Sequence, residues 1–355
     1  MSKFRIFLRA FGVLAIILTI FPYVPFNTWV VRVFDFPQLQ LTVLTILAFL
    51  TYFFRFEIKN RVDQIFIILL LVCIIVQLQK IFTYTPLADY EIHMASKDAK
   101  TKLSIYAANV LQKNDNKNLL VEDVMNKTSD VLLFTETDQK WITNLNNNFS
   151  NVYKYKVEVP LDNTYGMLLY SKYELIDSNV KYIVEDTIPS IHTKLILPSK
   201  DTVQIFAIHP APPTPSHNPS SVDRDAEMMK VALLTRNSKY PVIVMGDFND
   251  VAWSETTELF QKVSGLLDSR KGRGLYNTYN ANSFIMRWPL DHVFSSAEFR
   301  VIDIQIGNDI GSDHFPFYTK FSFEPELSSE QELAEPSKDE IDTAKKQIKM
   351  ENKNS

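Results

Sequence analysis

Cysteine is nearly absent from this 355-residue chain, with Cys73 standing alone, so no disulfide framework holds the fold together. No internal repeat is visible. A basic surplus is missing too: the formal charge is −4. Of the 37 Lys and Arg, 8 precede residue 86 and 5 follow residue 323; for the 41 Asp and Glu those counts are 3 and 9. The stretch between therefore carries about −5, the wrong sign for a chain that grips nucleic acid through its phosphates. No stable nucleic-acid partner is expected. With 46% hydrophobic residues, a disordered chain is excluded as well.

The apolar residues are unevenly spread. Phe11 to Val24, Leu39 to Phe54 and Ile65 to Leu78 form three runs within the first 82 positions. Each lies near the short end of the ~17–25 residues that cross a bilayer. Phe4, Ile6, Leu8 and Phe82 extend them, with Arg5 and Arg9 expected to snorkel outward. No small-residue cleavage site follows the first run, so three transmembrane helices are expected rather than a signal peptide. Lys3, Arg5 and Arg9 precede the first span, and Arg55, Lys59 and Arg61 separate the second from the third. That bias places the N-terminus and second loop in the cytoplasm and all that follows outside. The expected organisation is a membrane anchor over 1–84, a linker over 85–101, a globular domain over 102–323 and a charged tail over 324–355. The tail, poor in aromatics, is expected to be disordered apart from a frayed helix near Asp339 to Met350. The lipid bilayer is then a partner, and the setting a multi-pass protein of the cell (inner) membrane with its domain extracytoplasmic.

In the globular domain, short strands alternate irregularly with helical stretches, which points to mixed α/β structure with two packed sheets. The stretch "VIVMGDFND" (Val242 to Asp250) reads as a strand buried on both faces that ends in two carboxylates and an amide. A polar turn would account for it alone. Yet the pattern recurs: strands end at Asn109, Glu136, His209, Asp247 with Asn249, and Asp291, and Asp313–His314 sits just before the last strand. Strand ends hold side chains more rigidly than loops do, so a ligand site is expected there.

"AANV", "TETD", "AIHPAP", "GDFND", "PLDHVF" and "GSDHFP", in that order over about Lys102 to Ser322, resemble the endonuclease/exonuclease/phosphatase (DNase I-like) superfamily. With the preceding spans, the chain is similar to a bacterial membrane-anchored branch of it. The resemblance implies a four-layer α/β sandwich of two mixed sheets with outer helices. It also implies metal-dependent hydrolysis of phosphate esters with Mg²⁺ or Mn²⁺. Under it, Glu136 is the principal metal carboxylate, Asn109 the amide beside metal and substrate, and Asp313 a further ligand to a metal or its surroundings. Asp247 orients or deprotonates water, Asn249 holds water or phosphate, and His209 bonds a phosphate oxygen. Asp291 and His314 form a carboxylate–histidine pair.

Other residues stay open between roles. Arg270, Lys271, Arg273 and Arg287 are basic groups in an acidic domain, either phosphate-binding or solvated, with Arg273 and Arg287 the leading substrate-binding candidates. Arg224 fits a salt bridge or a phosphate contact, and Asp250 a turn or a direct role. His292 points away from Asp291 and is expected to be structural. His192 and His217 have no assigned place. The expected substrate is a lipid-linked phosphate ester, diester or anhydride at the outer membrane face. The alternatives are an exported, tethered nuclease or nucleotide phosphoesterase, and an inactive phosphate-binding sensor.

Overall fold

The computed structural model describes residues 3–215 and 218–351, which leaves His217 outside. The chain divides into two units, Met1–Ala88 with Pro213–Ser221, and Asp89–Pro212 with Val222–Ser355.

The first unit contains α1 (Lys3–Ile20), the short α2 (Trp29–Arg32), α3 (Gln38–Phe53) and α4 (Arg61–Phe82). Asn60 starts α4 by accepting the Val62 N–H at 2.9 Å. Lys3–Tyr23 and Arg61–Phe82 are long and apolar enough to cross a membrane, with mean hydropathy 2.1 and 2.7. Trp29–Asp35 and Gln38–Phe53 make a third span only if taken together, and they are bent by 74°. Pro37 stands at the break, where its ring and missing N–H interrupt a helix. Two helices, or three if the bent pair counts as one, are thus long and apolar enough to span, where three were expected.

Small residues let these helices approach closely. A Cβ on Gly12 would lie 2.5 Å from the Phe66 ring, and Ala15, Ala48 and Leu70 share one buried cluster. Arg5 and Arg9 do not snorkel. Both pair with the fully buried Asp63, Arg9 at 2.6 Å, and the Tyr52 hydroxyl donates to the same carboxylate at 2.6 Å. A carboxylate among apolar helices requires such partners.

The second unit is built on two six-stranded sheets. Its strands are β1 (Lys102–Asn109), β2 (Val131–Thr135), β3 (Tyr155–Val159), β4 (Met167–Ser171), β5 (Leu175–Lys181) and β6 (Ser190–Ile196). They continue with β7 (Thr202–Ala207), β8 (Val242–Asp247), β9 (Leu267–Asp268), β10 (Asp291–Ser295), β11 (Phe299–Ile306) and β12 (Phe317–Phe323). The orders are β11-β12-β1-β2-β4-β3 and β5-β6-β7-β8-β10-β9. Helices α5 (Lys117–Lys127) and α6 (Gln139–Phe149) cover the first sheet, and α7 (Val222–Arg236), α8 (Glu255–Ser264) and α9 (Lys338–Met350) the second.

Strand periodicity explains the apolar runs. Ile105 and Ala107 join Ile243 and Met245 in the core between the sheets, while Tyr106 and Ala108 face α5 and α6, and Val242 and Val244 face α7 and α8. Both faces are dry, so both must be apolar.

Direction positions the site. Among the described strands, β1/β2 and β7/β8 pair in parallel, and α5 and α7 are their crossovers. The C-terminal ends of all four strands therefore lie at corresponding edges of their sheets. Strands β10 and β12 run antiparallel to β8 and β1, so they begin where β8 and β1 end. Asp291 thus opens its strand instead of closing one, opposite Asp247 in the register.

The flanks are more ordered than their composition suggests. In the 85–101 segment Ile92 is buried in the inter-sheet core, and the Ala95 N–H donates to the Val301 carbonyl at 2.9 Å. It is packed chain, not spacer. The tail forms α9, opened by a capping box of Ser337 and Glu340. Ile341, Ala344 and Ile348 lay an apolar stripe against the α7–α8 cluster. Three apolar residues at helical spacing suffice to dock a helix that looks disordered by charge alone.

Candidate active site

The site begins at Gly246, whose φ is 143° and on which a Cβ would lie 1.9 Å from the Ile208 carbonyl oxygen. Only glycine allows β8 to end so close to the β7 exit. Asp247 follows, fully buried. Its Oδ1 accepts the Asn249 N–H at 2.9 Å, and its Oδ2 accepts from Asn109 Nδ2 at 3.0 Å. The same Oδ2 lies 3.6 Å from His314 Nε2 and 3.8 Å from His209 Nε2.

Asn109 is a strut between two carboxylates. Its Nδ2 also donates to Glu136 Oε1 at 2.8 Å, and its Oδ1 accepts from Leu111 N at 3.0 Å. Glu136 itself sits just past β2 with φ 59°, a left-handed backbone that costs about 1–2 kcal/mol in a non-glycine residue and collects at functional sites. Its other oxygen takes the Gln112 N–H at 3.3 Å. Among the described residues, no cationic side chain forms an ion pair with Glu136. It borders a cavity of about 540 Å³, lined also by Gln112, Lys113, Lys117, Lys140 and Thr164.

Asp291 Oδ2 accepts from His314 Nδ1 at 2.8 Å. Burial alone would lower the imidazole, but Asp291 and Asp247 outweigh it and raise His314 to about 10. Burial and repulsion from Asp247 push Asp291 up, so the pair keeps its proton, which the Nδ1 contact holds on His314. At neutral pH His314 is an imidazolium. His209 is buried and its Nδ1 has no hydrogen-bond partner among the described residues; a water or phosphate oxygen fits that need.

The donor set suits a divalent cation. Glu136 offers hard oxygens at a cavity wall and forms no ion pair among the described residues. Asp247, Asp291 and His314 also place one ligand atom each within 4.8 Å of the others, a second group able to hold a metal ion. Glu136 is the better anchor. Among the described residues the Asp313 carboxylate takes a long contact from Ser312 Oγ, 3.5 Å, and its carbonyl accepts from Ala281 N at 2.7 Å. Its charge helps to raise His314.

Three residues expected at the substrate make contacts within the protein itself. Asn249, with φ 51°, donates Nδ2–H to the Pro210 carbonyl at 3.0 Å, fastening the β8 exit to the β7 exit. Arg273 is used up on structure: it donates to the Ile92 carbonyl at 2.6 Å and the Ser269 carbonyl at 3.2 Å, and its guanidinium lies 4.1 Å from the Tyr90 ring. Arg287 donates to the Ser283 carbonyl and packs over Phe315 at 4.8 Å. Both arginines fold loops, since carbonyl oxygens also accept from a guanidinium.

Arg224 and Asp250 pair at 3.2 Å, and Asp250 Oδ2 accepts from Ser254 Oγ at 2.5 Å, so both residues build the start of α8. Residues without a sequence signal also shape the site. Tyr279 lies 4.9 Å from the His314 ring and Tyr165 5.3 Å from His209, while Thr278 Oγ1 accepts the Asp291 N–H at 3.2 Å. They sit in loops, where no periodicity reveals a side chain's direction.

A family model described as the Endonuclease/Exonuclease/phosphatase family matches residues 95–314. No curated protein matches the chain. Among solved structures, the human Nocturnin catalytic domain with bound sulfate is similar at 18% identity and TM-score 0.51, over 62% of this chain and 94% of that one. D. rerio TDP2 complexed with a single-strand DNA product aligns at 15% identity and TM-score 0.51, over 62% of this chain and 99% of that one. A functionally unknown conserved protein from Enterococcus faecalis V583 aligns at 15% and 0.52, over 62% and 100%. At these identities the likeness establishes the fold.

Proposed function

The chain belongs to the Endonuclease/Exonuclease/phosphatase family, whose members are phosphoester hydrolases, and from that premise we propose a membrane-anchored, divalent-cation-dependent phosphoesterase. It acts at the outer face of the membrane on a lipid-linked phosphate ester, diester or anhydride. The observation that carries the reading is the meeting of Asn109 and His314 from one sheet with His209 from the other around a single carboxylate oxygen, Asp247 Oδ2, with Asp291 holding the far side of the His314 ring.

Each group has a task. Glu136 would hold Mg²⁺ or Mn²⁺, which when bound offsets negative charge on a phosphate oxygen. Asn109 fixes the spacing between Glu136 and Asp247. Asp247 accepts a proton from the attacking water or orients it. His314, kept cationic by Asp291, and His209, through its unsatisfied nitrogen, donate toward non-bridging oxygens as their charge grows. Asp313 adds charge behind His314, and Asn249 holds the loop that presents Asp247.

The membrane side of the reading rests on the apolar helices and on the Lys and Arg that flank them. The acidic balance of the domain speaks against a tethered nuclease. The test is a substrate panel on the full chain: nucleic acids, phospholipids and polyprenyl pyrophosphates, with Mg²⁺ or Mn²⁺ and with excess chelator. Hydrolysis of a lipid phosphate that chelation abolishes and metal restores is expected. Cleavage of DNA alone, or full activity in chelator, overturns the reading.

A further inference from the structure

The loop between Tyr279 and Trp288 breaks the usual rule for a surface loop. Its tip is three consecutive apolar residues. Phe284 is 96% exposed, more than any other large apolar side chain among the described residues, and Ile285 is 73% and Met286 45% exposed. Runs of this kind are retained where something apolar covers them.

Three features identify the cover. First, the loop satisfies its own polar groups: Ser283 N donates to the Asn280 carbonyl at 3.1 Å, Met286 N to Ser283 Oγ at 2.9 Å and Asn282 N to Asn280 Oδ1 at 2.9 Å, while Arg287 closes on the Ser283 carbonyl. Internal bonding lowers the cost of taking backbone out of water. Second, the tip is an aromatic and two flexible aliphatics backed by Arg287, whose guanidinium lies 5.5 Å from the Phe284 ring. An aromatic with a cation behind it suits the boundary between acyl chains and anionic headgroups. Third, the chain supplies a bilayer nearby. Helix α4 ends at Phe82 and the second unit begins at Asp89, so the tether reaches at most ~25 Å.

We infer that Phe284, Ile285 and Met286 insert into the lipid surface as a second point of membrane attachment. This rests on the membrane side of the proposed function but not on the lipid substrate. The loop's base bears directly on the site. Tyr279 pairs with Trp288 at 2.9 Å and packs on His314, and Ala281 N bonds the Asp313 carbonyl. Insertion of the tip would therefore set the catalytic edge at headgroup depth.

The test uses the full chain with its one cysteine removed (Cys73→Ser), reconstituted in vesicles of phosphatidylethanolamine and phosphatidylglycerol. A cysteine placed at Ile285 carries an environment-sensitive fluorophore. The control label is at Ser199, in the exposed β6–β7 turn, where β7 starts and hence at the edge away from the site. Doxyl-labelled lipids should quench the Ile285 label several-fold more than the Ser199 label, and adding Phe284→Ser should reduce that quenching. Equal quenching at the two positions overturns the inference. So does a change that follows protein-to-lipid ratio and not the doxyl lipid, which would identify a second copy of the chain as the cover. No turnover is measured, so a failure of the hydrolase reading would be seen separately.

Discussion

Asp291 and His292 are neighbours on β10, yet their side chains serve opposite faces of the sheet. On one face Asp291 binds His314, beside Asp247, and the imidazole is held cationic. On the other, His292 meets Arg270, which also pairs with Asp268 at 2.7 Å, and its Nε2 contacts the Asp250 carbonyl at 2.9 Å. Burial, then the charge of Arg270, drives His292 far below its ordinary pKa, so it is neutral. Both faces hold a buried acid and a buried histidine. What differs is the arginine. Where it balances the acid, the cluster is closed and structural. Where carboxylates outnumber cations, the histidine carries charge and the site is left with donors and acceptors for water and phosphate.

The strongest way to break this comparison is to remove a charge from the open face. Asp247→Asn retains size and most hydrogen bonds but removes the proton acceptor, so kcat should fall on the order of 10²–10⁴-fold, with the melting temperature little changed. A lower melting temperature at unchanged kcat would make Asp247 structural. On the closed face the effect should be reversed. Arg270→Met leaves Asp268 buried without its partner, which costs about 3–5 kcal/mol in stability. Denaturant titration should show that loss, while kcat per folded molecule stays near wild type.

A third buried group sharpens the rule from the other side. Glu227 is buried, its Oε1 has no hydrogen-bond partner among the described residues, and burial with repulsion from Glu185 raises it to about 8. Its folded pKa lies above the unfolded one of 4.5. The folded state therefore keeps a proton that the unfolded state has lost, and stability declines as pH climbs from 4.5 toward 8. Glu227→Gln should remove that decline, raising stability above pH 8 on the order of 1–3 kcal/mol. An identical pH dependence in variant and wild type would contradict the assignment.

Much of the architecture could be read from strands alone. A strand dry on both faces must be apolar throughout, so Asn109, Glu136, His209 and Asp247 stand out at its end. Asp291 carried the same contrast but not its direction, since sequence does not state that β10 runs against β8. The arginines were misleading for a different reason. Arg273 and Arg287 look like anion binders in an acidic domain, but the carbonyls of Ile92 and Ser283 that hold them belong to distant or irregular chain. The tail was obscured by composition, because Ile341, Ala344 and Ile348 are too few to move an average. Tyr165 and Tyr279 gave no sign, being loop residues placed by tertiary contacts.

The central claim is that partner charge, not residue type, makes one of two buried histidines chemical and the other structural. The direct measurement is kcat, corrected for folded fraction, for His314→Gln and His292→Gln side by side on one phosphate substrate. The account predicts a loss on the order of 10²–10⁴-fold for His314→Gln, with His292→Gln keeping nearly wild-type turnover. Equal losses, or a greater loss at His292, would contradict it.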